Sequence, residues 1–320
     1  MKKILSLMLI IYILFANGYT ANGKERTVIK LNTNKLVLTV KEVYDLCLTY
    51  TKGIKRAEWV SKNNKVATVN SSTGEVTARK KGKTYIICTF KKNKKMYQYK
   101  CAVTVKNFPK FVNYKLMAHA LGAVDNTYIY SNSLEGLEQS TKNRFKYMET
   151  DIILTSDNKL VCSHGWTKFT YDYTGVPYNA ENPVMTYDEF MNTKIQGKYT
   201  TIDLSTIVEY MKKHKDVYFM FDLRTIDKAT AIETTQKIIE AFKDNEKLFD
   251  RIVMQAGSQE MYEGIDSVYH FKYYQYFIHD SEIDSIDNII NWCKKNNIVV
   301  ASIYEDAITE DIIRKLKENG

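Results

Sequence analysis

Apolar and polar positions follow two different rhythms along this chain. Between 28 and 106 they form short alternating or β-branched runs, such as Lys35-Leu36-Val37-Leu38-Thr39-Val40 and Tyr85-Ile86-Ile87-Cys88-Thr89-Phe90. Polar turns such as Ser71-Ser72-Thr73-Gly74 and Lys80-Lys81-Gly82-Lys83 separate them. Several short strands at this spacing predict an all-β sandwich. From 112 onward, short apolar runs alternate with helical patterns. Strands are predicted at 116–120, 147–154, 160–163, 217–223, 251–255, 273–278 and 298–303, and helices near 133–143, 203–214, 228–243, 258–264, 281–296 and 308–318. Asp203 is placed to cap the second helix, and Ile283, Ile286, Ile289 and Ile290 recur at helical spacing. Such alternation predicts a parallel sheet, either a TIM-type barrel or a doubly wound sheet. The lack of a Gly-rich GxGxxG or GxxxxGK[ST] loop after the first strand argues against dinucleotide and P-loop binding.

Ahead of both patterns, Met1-Lys2-Lys3 precedes an apolar run over residues 4–15, followed by small residues at Ala16, Gly18 and Ala21. The run is short for a membrane span and reads as a signal peptide over 1–23, so the protein is expected to be secreted or associated with the cell surface. The expected division is then a β domain over 24–106, a linker over 107–111 containing Pro109, and an α/β domain over 112–320.

Charge sharpens this division. Residues 24–110 carry 21 Lys and Arg against five Asp and Glu, whereas residues 111–320 carry 23 against 32. Two units with different partners are implied. A basic module on an exported protein is suited to anionic cell-wall polymer or a membrane surface, with lysine-rich solubility as the alternative; no nucleic-acid partner is expected. The five cysteines make no disulfide framework. Cys88 and Cys101 fall on consecutive predicted strands and are read as small buried side chains, a cross-strand bridge being the alternative. No CxxC or Cys/His cluster suggests zinc.

The stretch Ala57-Glu58-Trp59-Val60-Ser61-Lys62-Asn63, with Val66-Ala67-Thr68-Val69 and Gly74-Glu75-Val76-Thr77-Ala78, closely resembles the group 2 bacterial Ig-like domain. This implies a spacer or adhesive module with Trp59 in its core. Residues 117–164 carry a second resemblance. His119-Ala120-Leu121-Gly122, Ser131-Asn132-Ser133, Glu149-Thr150-Asp151 and Thr155-Ser156-Asp157 running to His164-Gly165 occur in the order found in the glycerophosphodiester phosphodiesterase family, a (β/α)8 barrel related to phosphatidylinositol-specific phospholipase C. Phe219-Met220-Phe221-Asp222-Leu223-Arg224 occupies the place of that family's E-x-K strand.

The residue types make chemical sense of the resemblance. Glu149 and Asp151, two apart on one strand, project from the same face. Carboxylates so close repel unless a cation lies between them, and oxygen ligands favour one Ca2+ or Mg2+. Asp222 could supply a third oxygen. The resemblance implies that His119 and His164 serve as general base and acid, that Arg224 binds phosphate in place of the family's lysine, and that Asn132 or Ser131 makes a polar contact where the family has an acidic residue. The expected activity is hydrolysis of glycerophosphodiesters, or of a phospholipid-derived substrate, to glycerol 3-phosphate and an alcohol.

This chain departs from the pattern in several places. Ala120-Leu121 stand where the family has an arginine, Gly165 replaces an aspartate, and Asp222 replaces a glutamate, as in sphingomyelinase D-type relatives. The alternatives are a phospholipase C- or D-like activity and an inert surface protein that binds through its basic module. His214, His270 and His279 match no family position. Trp166, Tyr171 and Tyr173, in the long segment after His164, are candidate substrate contacts. Taking the strands bearing His119, Glu149, Asp222, Arg251, Tyr273 and Ile298 as the first six of a barrel, the seventh and eighth β/α units are expected to be missing.

Overall fold

The structure, a computed structural model, describes residues 29–319 except 108, 126–129, 226 and 299. The leader expected at 1–23 lies outside the described residues, as does one residue of the 107–111 linker. The chain divides into two compact units. One contains the N-terminal β region together with Ser285–Lys294 and the chain from Asp306; the other contains Tyr114–Asp284 and Lys295–Glu305.

The first unit is the predicted sandwich. Strands β1 (Lys35–Thr39), β2 (Val43–Asp45), β3 (Ala57–Ser61), β4 (Ala67–Val69), β5 (Glu75–Ala78), β6 (Gly82–Lys92) and β7 (Lys95–Lys106) form two sheets, ordered β1-β7-β6-β3 and β2-β5-β4. Strand β1 runs parallel to β7, and the other pairings are antiparallel. Inward-facing residues alternate with outward ones, so Trp59, Val76, Ile86, Cys88, Cys101, Val103 and Val105 share one core. Gly74, in the G-x-VTA motif, adopts φ +87°, and a Cβ there would lie 2.2 Å from the Leu46 carbonyl oxygen. Cys88 pairs with Tyr99 and Cys101 with Ile86, two positions out of register, and both thiols are free. The buried-apolar reading of these cysteines therefore holds.

The second unit is built on a six-stranded sheet. Its strands are β8 (Tyr147–Leu154), β9 (Leu160–Cys162), β12 (Tyr218–Leu223), β13 (Ile252–Ala256), β14 (Tyr274–Ile278) and β15 (Val300–Ile303), ordered β15-β14-β13-β12-β8-β9. All pairs are parallel except β8 with β9, which form a hairpin. A small hairpin, β10 (Lys194–Ile195) with β11 (Tyr199–Thr200), stands apart from the sheet. The helices of this unit are α1 (Leu134–Lys142), α2 (Lys168–Thr174), α3 (Tyr187–Met191), α4 (Leu204–Lys213), α5 (Lys228–Ala241) and α6 (Gln259–Val268), whereas α7 (Ile286–Lys295), between β14 and β15, and α8 (Glu310–Asn319), after β15, fall in the first unit.

Strands β8, β12 and β13 are buried along nearly their whole length, as expected of a parallel sheet covered on both faces. Side chains supply the helix starts: Ser133 accepts from the Gly136 N–H, and Asp203 accepts from the Thr206 N–H at 3.1 Å, as its position in the sequence predicts. The Arg251 guanidinium donates to the carbonyls of Met211, His214 and Val217 at 2.7–2.9 Å, satisfying the end of α4.

Two expectations change. The first barrel strand, predicted at 116–120, shrinks to a single parallel bridge between Ala118 and Met148, followed by a 3-10 turn at His119–Leu121. The segment after His164 is not one loop, because α2, α3 and the β10–β11 hairpin occupy it. Among the described residues β15 pairs with β14 alone, so the sheet does not close into a barrel. No helix among the described residues is long and apolar enough to cross a membrane.

Candidate active site

The site sits on β8 and β12. Asp222 is the register partner of Asp151, and Met220 that of Glu149. Alternation along each strand therefore sends Glu149, Asp151 and Asp222 to one face, and a carboxylate oxygen from each lies within 4.8 Å of the others. Glu149 and Asp151 are each only 1% exposed. The sequence places these three residues together, and the structure does the same.

Neighbouring groups hold them unequally. The Asn132 amide donates to Asp151 Oδ2 at 2.7 Å. Arg224 reaches Asp222 Oδ2 from Nη1 at 2.9 Å, lies 3.6 Å from Asp151 Oδ1 through Nε, and donates from Nε to the His164 carbonyl at 2.9 Å. A Gln255 side-chain hydrogen bond also supports Asp222. Glu149 Oε2 accepts from the Ala120 N–H at 2.5 Å, but its buried Oε1 has no hydrogen-bond partner. Burial, and then the charges of Asp151 and Asp222, push the Glu149 carboxyl well above its ordinary range. Burial also raises Asp151 and Asp222, against the opposing pull of Arg224.

An orphaned buried oxygen and three mutually repelling carboxylates suit a hard divalent cation, which Glu149, Asp151 and Asp222 would hold. Two of the predicted substrate-binding residues also touch the triad itself. Asn132, whose carbonyl oxygen also accepts from Thr150 Oγ1 and the Asp151 N–H, is engaged in positioning Asp151. The Arg224 guanidinium is engaged by carboxylates.

The two histidines flank this cluster. His119 Nε2 lies 3.8 Å from Glu149 Oε2. Burial lowers the His119 imidazole pKa, and Arg224 lowers it further while Asp222 opposes. Burial followed by Arg224 brings His164 down to about 4. Tyr130 lies between the imidazoles, edge-on to both, with ring centroids 4.9 Å from His119 and 5.2 Å from His164.

The turn carrying His119 has an unusual backbone. Ala120 and Leu121 adopt φ +46° and +62°, which aims the Ala120 N–H at Glu149. Gly122 follows at φ +100°, and a Cβ there would lie 2.1 Å from Ser140 Oγ.

Of the aromatic candidates after His164, Trp166 is half-buried and donates to the Leu154 carbonyl at 2.8 Å, while Tyr171 is buried; both line a small cavity with Phe190. Tyr173 faces Tyr130. His279 Nε2 contacts the Gly257 carbonyl at 2.9 Å, and His270 Nδ1 contacts Asp266 at 2.7 Å. Sequence reasoning missed Tyr130, Gln255 and Phe169. For Phe169 a signal was present, since Phe169 and Tyr173 are four apart behind a Thr167 cap.

The site thus joins an acidic triad and two flanking histidines on an open, largely parallel sheet. Family comparison agrees: a bacterial Ig-like domain (group 2) model matches residues 26–99, and the glycerophosphoryl diester phosphodiesterase family model matches residues 122–320. The chain belongs to the glycerophosphoryl diester phosphodiesterase family.

Among solved structures, an Oleispira antarctica phosphodiesterase in complex with the product sn-glycerol-3-phosphate is 13% identical, with 63% of this chain and 79% of that one covered and a TM-score of 0.50, which supports the fold. A Parabacteroides distasonis glycerophosphodiester phosphodiesterase is 15% identical over 63% and 89% of the two chains, with a TM-score of 0.45. A Thermotoga maritima one is 18% identical over 59% and 76%, with a TM-score of 0.43. No curated protein matches the chain.

Proposed function

We propose that this protein is a secreted, metal-dependent enzyme that hydrolyses glycerophosphodiesters to glycerol 3-phosphate and an alcohol, with His119 and His164 as its acid–base pair. The observation that carries this reading is the buried triad of Glu149, Asp151 and Asp222, with its unpartnered Glu149 oxygen, set between two histidines. A Ca2+ or Mg2+ ion held there would neutralise the carboxylates and supply a Lewis acid toward a phosphodiester oxygen. The chain's own groups do the rest. Burial, with Arg224 adding to it, lowers both imidazole pKa values, which suits the one that takes the nucleophile's proton; its partner must enter protonated, as imidazolium, to return a proton to the leaving alkoxide. Arg224 and Asn132 fix the two aspartates in orientation. The Oleispira antarctica phosphodiesterase in complex with the product sn-glycerol-3-phosphate is the precedent for the product assigned.

Export rests on the leader at 1–23. The basic module over 24–110 would then hold the enzyme near anionic wall polymer or membrane surface, an attraction that salt weakens.

The test is release of glycerol 3-phosphate from glycerophosphocholine and glycerophosphoglycerol, with and without EDTA, in wild type, His119→Ala and His164→Ala. EDTA should abolish release, and each substitution should lower kcat by roughly 10²–10⁴-fold. Hydrolysis indifferent to EDTA and to both substitutions overturns the mechanism.

A further inference from the structure

The charges of the Ig-like module are sorted between its two sheets. Among the described residues, Glu42, Asp45 and Glu75 lie on or beside the smaller sheet, β2-β5-β4. The outward face of the larger sheet, β1-β7-β6-β3, instead carries the exposed lysines Lys35, Lys62, Lys83, Lys91 and Lys100. Lys62 stands one residue beyond β3, where its N–H still bonds the Tyr85 carbonyl at 2.9 Å. Glu58 is the one carboxylate described on this face, and Arg56 lies 3.9 Å from it. None of these lysines forms an ion pair among the described residues. In the other unit, by contrast, Lys168, Lys212 and Lys228 are each held by a carboxylate at 2.6–2.9 Å.

Between the lysines lies an apolar strip. Val60 is the register partner of Ile87, and Tyr85 is two residues from Ile87 on the same strand, so the three are neighbours on one face. Val60 is 56% exposed and Tyr85 43%, while Met96, beside Lys91 at the end of the face, is 64% exposed. Across the sheet Ile87 pairs with Lys100, and Tyr85 pairs with Ala102, which in turn pairs with Lys35. The cations thus surround the strip. The Lys100 ammonium lies 3.4 Å from the centre of the Tyr85 ring.

This combination discriminates between anionic partners. A hydrated polymer offers charge to the lysines but little to exposed Val60 and Met96. The headgroup layer of a bilayer takes such side chains out of water while the lysines stay beside phosphate.

We propose that the outward face of β1-β7-β6-β3 docks on a phospholipid bilayer rich in anionic headgroups, with Lys62, Lys83 and Lys100 at the phosphates and Val60, Tyr85 and Met96 in the headgroup layer. This rests on the export and attachment reading above, and it chooses the membrane over wall polymer.

The experiment is cosedimentation of the full chain with vesicles of phosphatidylglycerol and phosphatidylcholine in equal parts, and with phosphatidylcholine alone. Binding should need the anionic lipid and weaken as salt rises. Each lysine near an anionic bilayer is worth about a fivefold change in partitioning, so Lys62→Gln, Lys83→Gln and Lys100→Gln together should lower it roughly a hundredfold. Lys142→Gln, Lys215→Gln and Lys295→Gln, the same change of charge on the other unit, should leave it within about twofold. Val60→Ser with Met96→Ser should weaken binding at least about threefold with no change of charge.

Equal losses in the two lysine triples overturn the proposal, as does binding indifferent to Val60→Ser with Met96→Ser. Retention by lipid-free poly(glycerol phosphate) with none on vesicles overturns it in favour of wall polymer. Hydrolysis of soluble glycerophosphocholine, measured on the same samples, should be unaltered by the triple on the sheet face. Its absence in a wild type that still binds vesicles counts against the hydrolytic reading alone.

Discussion

Asn132 grips Asp151 from both sides, donating its amide to Oδ2 at 2.7 Å and accepting from the Asp151 N–H at 3.2 Å through its own carbonyl oxygen. Its backbone at φ +42° is a conformation that asparagine tolerates better than most residues. Asn132→Ala removes a hydrogen bond to a buried carboxylate and is expected to cost about 1.5–3 kcal/mol of stability. It should also lower kcat by roughly tenfold or more, because Asp151 loses its fixed orientation. Denaturant melts with kinetics on the same sample check both. An unchanged kcat in a folded variant would show that Asp151 needs no such grip.

Glu149 predicts an inverse relation between activity and stability. With its folded-state pKa raised above the ordinary 4.5, the residue contributes stability at low pH that is lost as pH rises toward neutrality, since only the unfolded chain ionises freely. In EDTA, Glu149→Gln should therefore melt higher than wild type at pH 7, by roughly 2–4 °C for each kcal/mol relieved. The gap should close below about pH 4.5, where Glu149 is protonated in both states. Hydrolysis by the same variant should be lost. Differential scanning calorimetry across this pH range decides; a variant that melts lower at pH 7 contradicts the assignment.

Thiol chemistry separates the cysteines. Burial pushes Cys88 up to about 11 and Cys101 and Cys162 to about 12, whereas Cys47 is exposed. At pH 8 the three buried thiols carry almost no thiolate. Alkylation of the native protein should mark Cys47 and spare those three until denaturant is added, as read by peptide mass spectrometry. Rapid native labelling of Cys162 would mean that β9 is less firmly packed than described.

Gly122→Ala should be costly although it adds one methyl group. The backbone at φ +100° and the 2.1 Å approach to Ser140 Oγ both oppose a Cβ. A loss of roughly 2–4 kcal/mol is expected. Gly122→Ala combined with Ser140→Gly should recover the steric part only, which thermal melts of the single and double variants would show.

The sequence and the structure agree where physics is local. Glu149 and Asp151 share a face because strands repeat every two residues, and Asp203 caps α4 because its carboxylate reaches the Thr206 N–H. The Ig-like module was legible from Trp59 and the Gly74 turn for the same reason. The strand at 116–120 was not, because its apolar run has the right composition while Ala120 and Leu121 turn left-handed to reach Glu149, a tertiary demand that propensity does not register. The elements in the long segment after His164 were not anticipated, although Thr186 and Glu189 form a capping box visible in the sequence. The roles of Asn132 and Arg224 depend on which carboxylates lie beside them. A one-dimensional pattern identifies such residues without showing where they point.

The bridge at Ala118 has a kinetic consequence. This segment joins the sheet backbone through two hydrogen bonds, Ala118 N–H to Tyr147 at 2.9 Å and Glu149 N–H to Ala118 at 2.8 Å, whereas β12 on the other edge of β8 pairs over six positions. The stretch bearing His119 thus depends for its place on the burial of Ala118, Ala120 and Leu121 more than on strand pairing, and is expected to open ahead of the sheet. On heating, catalysis should fail before the protein melts, and the Ala118 amide should exchange with deuterium ahead of those in β12.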